Sequence, residues 1–138
     1  MSNGFKDYMN DLREQFDANT EALNNLPVGW VKSFVPQMKD ELFNALGSYA
    51  YEFHIDQAKE KWAALRVYWH WADKEHCEHE WHDLNELTQT ISEIIYKYTD
   101  ISFNTCVECG EDASGYTRYY VVPACDEHNP DCNWLDHV

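Results

Sequence analysis

Residues 106–110 read Cys-Val-Glu-Cys-Gly, and residues 125–128 read Cys-Asp-Glu-His. Each stretch places two soft metal ligands three positions apart, and fifteen residues separate the two stretches' facing cysteines. This spacing is close to that of four-ligand zinc sites, in which thiolates and imidazole complete a tetrahedral shell. Gly110 suits the tight turn that follows the first pair. The sequence therefore predicts a zinc site with four protein ligands, namely Cys106, Cys109, Cys125 and His128.

The predicted zinc has a structural role, because a catalytic zinc keeps one coordination position open for water. Cys132 is a competing fourth ligand, since residues 129–131 can loop it back toward the site. His128 is favoured over it because the short loop from Cys125 costs less entropy to close. Buried cysteines without a metal are the alternative. Five cysteines, three of them with metal spacing, indicate reduced thiols rather than disulfides.

The chain is strongly acidic, with 10 lysine and arginine residues against 25 aspartate and glutamate residues and a net charge of −15. Residues 27–72 carry five basic and five acidic side chains. Residues 73–100 carry two and eight, and residues 101–138 carry one and seven. Such a surface repels phosphate backbones and anionic membranes and attracts basic partners. The alternative is a solvated acidic face that only aids solubility.

The sequence also bears on the compartment. Residues 1–7 lack the charged-then-apolar pattern of a signal peptide. No apolar run approaches the eighteen residues or so that a transmembrane helix needs. Together with the reduced cysteines, these features predict a cytoplasmic protein that does not contact a membrane.

Helical spacing of apolar residues predicts three helices. The first covers residues 5–26 and is ended by Pro27 and Gly29. The second begins around Val35 and closes at Gly47. The third carries its apolar stripe over residues 84–98 and runs down to the first cysteine pair.

Strands are predicted where apolar, β-branched and aromatic residues alternate or cluster, over residues 48–55 and 65–71. Between them, Asp56 is expected to cap a short helix over residues 57–62. Residues 116–122 lie between the two ligand pairs and are expected to form a strand or hairpin, as in zinc ribbons and treble clefs.

These elements predict an α+β fold. N-terminal helices precede a short antiparallel sheet, and a long helix leads into a C-terminal knuckle module of zinc-ribbon or treble-clef type. We expect a single domain over residues 1–138, in which residues 1–100 form the α+β body and residues 101–138 form the zinc-binding module.

Short motifs in a fixed order run through residues 29–128. They are Gly29-Trp30, Gln57-Ala58-Lys59-Glu60-Lys61-Trp62, Leu65-Arg66-Val67-Tyr68, Cys106-Val107-Glu108-Cys109-Gly110 and Cys125-Asp126-Glu127-His128. In these motifs the chain resembles a widespread family of small, uncharacterised zinc-binding proteins of phages and bacteria. It departs from the family where Ala63 or Ala64 replaces Gly and Trp62 replaces Phe. The resemblance implies a phage-type accessory protein and identifies no catalytic residue.

A second group of candidate metal ligands is rich in histidine. His76, His79 and His82 are three residues apart, and His70 precedes them. On a helix, neighbouring members of this group come within reach of each other, and imidazole with nearby Glu binds borderline metals. The spacing differs from the H-E-x-x-H protease motif, whose histidines are four apart. A solvated acidic segment is the favoured alternative, and a pH-sensitive patch is a further hypothesis.

The main basic cluster consists of Lys59, Lys61 and Arg66. We interpret it as the solvated side of an amphipathic helix, with Arg66 paired to a carboxylate, because no glycine-rich anion cradle accompanies it. The alternative is a site that grips a nucleotide or phosphate. Trp62 and Tyr68 are interpreted as core or interface aromatics, since the acidic composition disfavours a stacking platform for bases.

The pattern as a whole predicts a non-enzymatic, zinc-stabilised acidic protein that binds and modulates or inhibits a basic host protein. A defence factor, a nuclease or a transcription factor would suit, and the acidic residues of 73–138 would occupy its nucleic-acid groove as a DNA mimic does. Direct binding of nucleic acid is not expected. The alternative is a zinc-dependent hydrolase or nuclease-like enzyme that uses the His70–His82 cluster.

Overall fold

A computed structural model describes residues 3–72, 81–118, 120–129 and 134–135, with the backbone alone at residue 3 and residues 81–83. The elements in chain order are helix α1 (Asn3–Asn19), a 3₁₀ helix (Glu21–Asn25), α2 (Val28–Ser33), α3 (Val35–Leu46), a 3₁₀ helix (Gly47–Tyr51), strands β1 (Phe53–Lys61) and β2 (Ala64–Trp71), α4 (Trp81–Ser102), β3 (Gly115–Tyr116), β4 (Pro123–Ala124) and a 3₁₀ helix (Asp126–His128). The predicted α+β class is confirmed. Among the described helices, none is both long enough and apolar enough to cross a bilayer.

The apolar core lies between the helices and one face of the β1–β2 hairpin. Phe16 of α1 stacks on Phe53 of β1, and Phe34 stacks on Tyr98 of α4. Burying one large apolar side chain contributes about 1.5–3 kcal/mol, so this cluster dominates the stability of the body. Its fully buried members include Leu12, Phe16, Leu23, Trp30, Met38, Leu42, Phe53, Leu65 and Ile91.

The N-terminal helical segment is divided more finely than its spacing predicts. α1 ends at Asn19, and the Asn19 side chain donates a hydrogen bond to the carbonyl of Tyr51. The predicted break at Pro27 is present, because the preceding 3₁₀ helix ends at Asn25 and α2 begins after Pro27, but Gly29 does not end a helix and lies inside α2. α3 begins at Val35 and is closed by Gly47 with a positive φ of 56°, as predicted.

The region around β1 corrects two predictions. The predicted helix over residues 57–62 was wrong, since residues up to 61 belong to β1 and pair with β2 in an antiparallel ladder. The ladder's main-chain hydrogen bonds and the burial of one strand face outweigh the local helix preference of this stretch. The strand predicted over 48–55 was wrong in its first half, because Gly47–Tyr51 forms a 3₁₀ helix. The second strand was predicted correctly.

A two-residue turn joins β1 to β2. Trp62 and Ala63 both have positive φ values, 54° and 70°, as a type I′ hairpin requires. The Ala63 backbone N–H donates to a Glu60 carboxylate oxygen at 2.9 Å. Glycine and asparagine adopt this conformation most easily. A glycine would therefore suit position 63 better than the alanine that stands there.

The third predicted helix is confirmed as α4, which buries Leu84, Ile91 and Tyr98. The strand or hairpin predicted over 116–122 is present as the short β3–β4 hairpin, in which β3 ends at Tyr116 and β4 begins at Pro123. The backbone N–H of Leu135 donates to the carbonyl of Tyr116 at 2.7 Å. Trp134 also forms an isolated antiparallel bridge with Thr117, so residues 134–135 lie beside the end of β3.

Candidate metal centre

The first ligand pair lies in a tight knuckle, residues 106–110, shortly after the end of α4. The Cys106 backbone N–H donates to the carbonyl of Glu111 at 2.8 Å, and the Gly110 N–H donates to the carbonyl of Cys106 at 3.0 Å. Gly110 has a φ of 82°, a conformation that favours glycine. These bonds fold the knuckle back on itself, so that Cys106 and Cys109 face the same point.

The second knuckle, residues 125–128, follows β4 directly and forms a single 3₁₀ turn. The His128 backbone N–H donates to the carbonyl of Cys125 at 3.1 Å. The pairing of β3 with β4 reverses the chain, and the Val107 N–H donates to the carbonyl of Pro123 at 3.0 Å. These contacts bring the second knuckle against the first.

The structure brings all four predicted ligands together. The donor atoms of Cys106, Cys109, Cys125 and His128 all lie within 4.8 Å of one another. The two sulfurs of Cys109 and Cys125 are 3.6 Å apart, and His128 Nδ1 lies 3.1 Å from the sulfur of Cys125. The sulfur separation far exceeds the roughly 2.05 Å of a disulfide bond. The three described cysteines are therefore free thiols, and the four side chains could hold a metal ion.

The thiols of the centre differ in their readiness to ionise. Burial opposes ionisation of Cys106, but backbone N–H groups of Cys109, Glu108 and Cys125 outweigh it and lower its pKa to about 7. The Glu111 N–H favours the Cys109 thiolate, yet burial and the two neighbouring thiols raise the pKa of Cys109 to about 11. A bound cation favours all the thiolates, so metal binding would displace protons from this group.

The two ring nitrogens of His128 face different groups. Its Nδ1 faces the thiols, at 3.1 Å from Cys125 and 3.7 Å from Cys106. Its Nε2 faces the Glu108 carboxylate, with 3.8 Å between Nε2 and Oε2. Contact with Cys125 raises the pKa of His128. A carboxylate beside the outer nitrogen is typical of metal-binding histidines, whose ring it orients.

Glu108 was missed by sequence reasoning, although it lies within the first knuckle. Its position between two ligand cysteines does not by itself show that its carboxylate turns toward His128, which is twenty residues away in the sequence. The sequence did offer one indication of this role, because an exposed acidic side chain in a C-x-x-C loop can reach a ligand histidine of the opposite knuckle.

The first knuckle is pressed against α2. The Gly29 backbone N–H donates to the carbonyl of Val107 at 2.7 Å. A Cβ at position 29 would lie 2.3 Å from the carbonyl oxygen of Cys106 and 2.7 Å from the nitrogen of Gly110. The buried Trp30 indole donates to the carbonyl of Thr105 at 2.9 Å. Gly29 and Trp30 therefore position the ligand-bearing loop on the core, a role that sequence reasoning missed.

Among the other candidate residues, His70 is the one whose side chain the structure describes. His70 lies on β2, where its Nδ1 is 2.8 Å from an Asp56 carboxylate oxygen and its ring stacks on His54. In the described part of the chain, the Cys/His centre is the one group of three or more close metal-ligating side chains. The His70–His82 metal site stays a prediction. The side chains that the structure does not describe include those of His76, His79, His82 and the alternative ligand Cys132.

The chain was compared with protein-family models, with curated proteins and with solved structures. No family model matches it, and no curated protein or solved structure matches it either.

Proposed function

We propose that the protein binds one structural Zn²⁺ through Cys106, Cys109, Cys125 and His128. The observation that carries this proposal is the convergence of the four donor atoms within 4.8 Å. In a tetrahedral shell with a Zn–S distance of about 2.3 Å, two sulfurs lie about 3.8 Å apart. The separation of Cys109 Sγ from Cys125 Sγ is 3.6 Å. Thiolate and imidazole ligands bind zinc in preference to calcium or magnesium.

The metal would hold together a region that has little apolar core of its own. Among the described residues after α4, the buried side chains are Thr105, Cys106, Pro123 and Ala124. Such a small set contributes far less than the core of the body, and structural zinc contributes folding free energy directly. We assign the region to the zinc-ribbon or treble-clef type, with the two knuckles on either side of the β3–β4 hairpin.

The surface around the centre supports a role in binding a basic protein. Five carboxylates next to the ligands are exposed, namely those of Glu108, Glu111, Asp112, Asp126 and Glu127. α4 adds exposed carboxylates at Glu86, Glu93 and Asp100. A metal that fixes the two knuckles also fixes the spacing of the carboxylates on them. A rigid negative surface of this kind complements the basic groove of a nucleic-acid-binding protein.

The protein would thus act without catalysis, as an acidic accessory protein that occupies and inhibits such a groove. The resemblance to small phage and bacterial proteins supports a phage setting, in which the target is a defence factor, a nuclease or a transcription factor in the host cytoplasm. The complementary field would speed association and make it sensitive to salt, because long-range attraction between opposite charges is screened by ions.

The metal is tested by elemental analysis of protein purified without a histidine tag. We expect one zinc per chain in the wild type and none in Cys106→Ser or Cys125→Ser. A wild-type protein with no metal, or one that loses its metal without any change in amide-proton exchange after α4, would overturn the structural zinc.

The partner surface is tested by a pull-down from bacterial lysate with a matched pair of variants. One variant neutralises the centre's surface with Glu111→Gln, Asp112→Asn, Asp126→Asn and Glu127→Gln. The control neutralises four exposed carboxylates of the N-terminal segment with Asp7→Asn, Asp11→Asn, Glu14→Gln and Glu21→Gln. We expect the wild type and the control to retain the same basic protein at low salt, and the first variant to lose it. Equal retention by all three proteins, or no retained protein at all, would contradict the proposed surface.

A further inference from the structure

The outer face of the β1–β2 hairpin collects the main basic cluster. In the ladder, Lys59 pairs with Arg66 and Gln57 pairs with Tyr68, so their side chains share one face. Lys61, two positions after Lys59 on the same strand, lies on that face as well. The opposite face packs into the core. We define the outer face by Lys59, Lys61, Arg66 and Tyr68, with Trp62 at the turn.

The cations on the outer face are not neutralised within the described chain. None of Lys59, Lys61 and Arg66 has a salt bridge to a described residue, so the predicted pairing of Arg66 with a carboxylate was wrong. The nearby Glu60 carboxylate instead accepts a hydrogen bond from the turn at Ala63. Lys59 and Arg66 face each other directly, and like charges opposite each other in a ladder destabilise it.

This concentration of positive charge runs against the composition of the molecule. Residues 57–71 carry three cations and one carboxylate, a net charge of +2, in a chain whose net charge is −15. A like-charged arrangement that costs stability, and that no carboxylate of the described residues offsets with a salt bridge, marks a functional surface. The cations therefore indicate an anionic ligand.

Two exposed aromatic rings lie beside the cations, and packing into the core does not explain their presence there. The Trp62 side chain is 71% exposed, and it occupies a positive-φ turn position that an indole-bearing residue adopts with strain. The Tyr68 ring is 48% exposed, and the Lys59 ammonium lies 5.6 Å from its centroid. Aromatic rings set among Lys and Arg side chains form the platform on which proteins stack the bases of single strands.

We infer that the outer face binds single-stranded nucleic acid, with Lys59, Lys61 and Arg66 on the phosphates and with Trp62 and Tyr68 stacked on bases. An acidic peptide would use the same cations, but it has no use for exposed flat rings at base-stacking positions. The inference goes beyond the proposed function and uses none of the metal-centre residues.

The net charge of the chain led to the opposite expectation from sequence, which placed Lys59 and Lys61 on a helix and Arg66 on the following strand. In the structure they are gathered on one side of a hairpin. At physiological salt, charges more than about 8 Å away are largely screened. The local charge of the outer face therefore decides short-range binding more than the total charge does.

The test uses the full, zinc-loaded chain and fluorescence anisotropy of labelled twelve-residue oligo(dT) and oligo(U). We expect binding to at least one of them at 50 mM salt, with a logarithmic salt slope of about −2 if three phosphates are contacted. Lys61→Gln with Arg66→Gln should weaken binding at least tenfold and reduce the slope to about −0.7. Lys6→Gln with Lys32→Gln removes the same charge from exposed positions elsewhere and should leave binding within twofold.

A second variant tests the stacking independently of charge. Trp62→Gly removes the ring at a turn position that glycine adopts easily, so the fold is kept, and binding should weaken about fivefold or more. No binding by the wild type at 50 mM salt would overturn the inference. Equal losses of affinity in the Lys61/Arg66 double variant and in the Lys6/Lys32 control would overturn it as well. Tighter binding of a labelled twelve-residue poly-glutamate peptide than of either oligonucleotide would assign the face to an acidic protein segment instead.

Discussion

The β1–β2 hairpin and the metal centre are both antiparallel reversals of the chain, yet different forces hold them. β1 and β2 pair over eight residues or more, and their inner face buries Phe53 and Leu65 in the core. β3 and β4 pair over two residues each, and the loops beyond them bring four metal ligands together. Where apolar burial ends, the structure brings together four soft side chains that could hold a metal ion.

The two parts are therefore expected to fail under different conditions. The hairpin depends on a core assembled from α1, α3 and α4, so it responds to changes in packing. The proposed metal centre would depend on thiolates, so we expect it to respond to chelation and to loss of any ligand. Trp30 is the main link, because its ring is fully buried in the core while its indole nitrogen bonds the loop that leads into the first knuckle.

Metal removal is expected to have the largest effect and to separate the two parts. Structural zinc sites in small modules bind with an apparent free energy of order 10 kcal/mol, so chelation should abolish amide-proton protection in residues 103–128. Protection in β1, β2 and α3 should persist. Hydrogen exchange followed by mass spectrometry measures both. If protection falls equally throughout the chain, the two parts do not differ as described.

Trp30→Ala should destabilise both parts at once. Truncation of a fully buried Trp costs about 3–5 kcal/mol in the free energy of unfolding, and it also leaves the carbonyl of Thr105 without its donor. Urea denaturation measures the loss. Trp30→Phe removes the hydrogen bond and only part of the buried ring, so it should cost less, about 1–3 kcal/mol. A loss below 1 kcal/mol for Trp30→Ala would show that the link is weak.

Gly29→Ala should disturb the contact between α2 and the first knuckle. The added Cβ would approach backbone atoms to 2.3 Å, so the knuckle must shift, at about 1–3 kcal/mol in the free energy of unfolding. Zinc affinity, measured by competition with a chelator, should fall with it. Gly4→Ala is the matched helical control, because nothing lies within 4 Å of its Cβ, and it should be neutral or stabilising. Equal effects of the two substitutions would refute the close contact.

Replacing Trp62-Ala63 with Asn-Gly should stabilise the hairpin by about 1 kcal/mol. Both residues have positive φ values, and Asn-Gly is the sequence that type I′ turns prefer. Thermal unfolding of the zinc-loaded protein measures the gain. The metal stoichiometry should stay unchanged, because the turn belongs to the body. A decrease in stability would mean that the exposed indole contributes more to folding than its surroundings indicate.

His70→Asn should have the smallest effect, a shift in one pKa. Burial and the neighbouring His70 lower the pKa of His54 in the fold, so removing His70 should raise the pKa of His54 toward 6.5. A lowered pKa in the folded state means that the contribution of His54 to stability is present above pH 6.5. That contribution is lost as the pH falls through the folded pKa. An NMR titration of the histidine ring protons measures the shift, and an unchanged value would exclude coupling between the rings.

Local patterns predicted the parts of the fold that local rules govern. α3 has a glycine at its end, α4 has apolar residues at helical spacing, and β2 is a run of β-branched and aromatic residues. Residues 57–61 were assigned to a helix because their side chains favour one, and pairing with β2 decides otherwise. Their strand partners lie three to eleven residues further along the chain, so the side-chain preferences of residues 57–61 alone do not show the pairing.

The four ligands of the candidate centre could be identified from sequence, because C-x-x-C and C-x-x-H place donors by spacing alone. The groups that position these four ligands could not be identified from sequence. Trp30 meets Thr105 across 75 residues, and Glu108 reaches His128 only after β3 and β4 have reversed the chain. The amino-acid order thus specifies which side chains are competent to bind a metal. Which groups orient them, and which cations share an exposed face, depends on long-range pairing and packing, whose energies are not encoded in any local spacing.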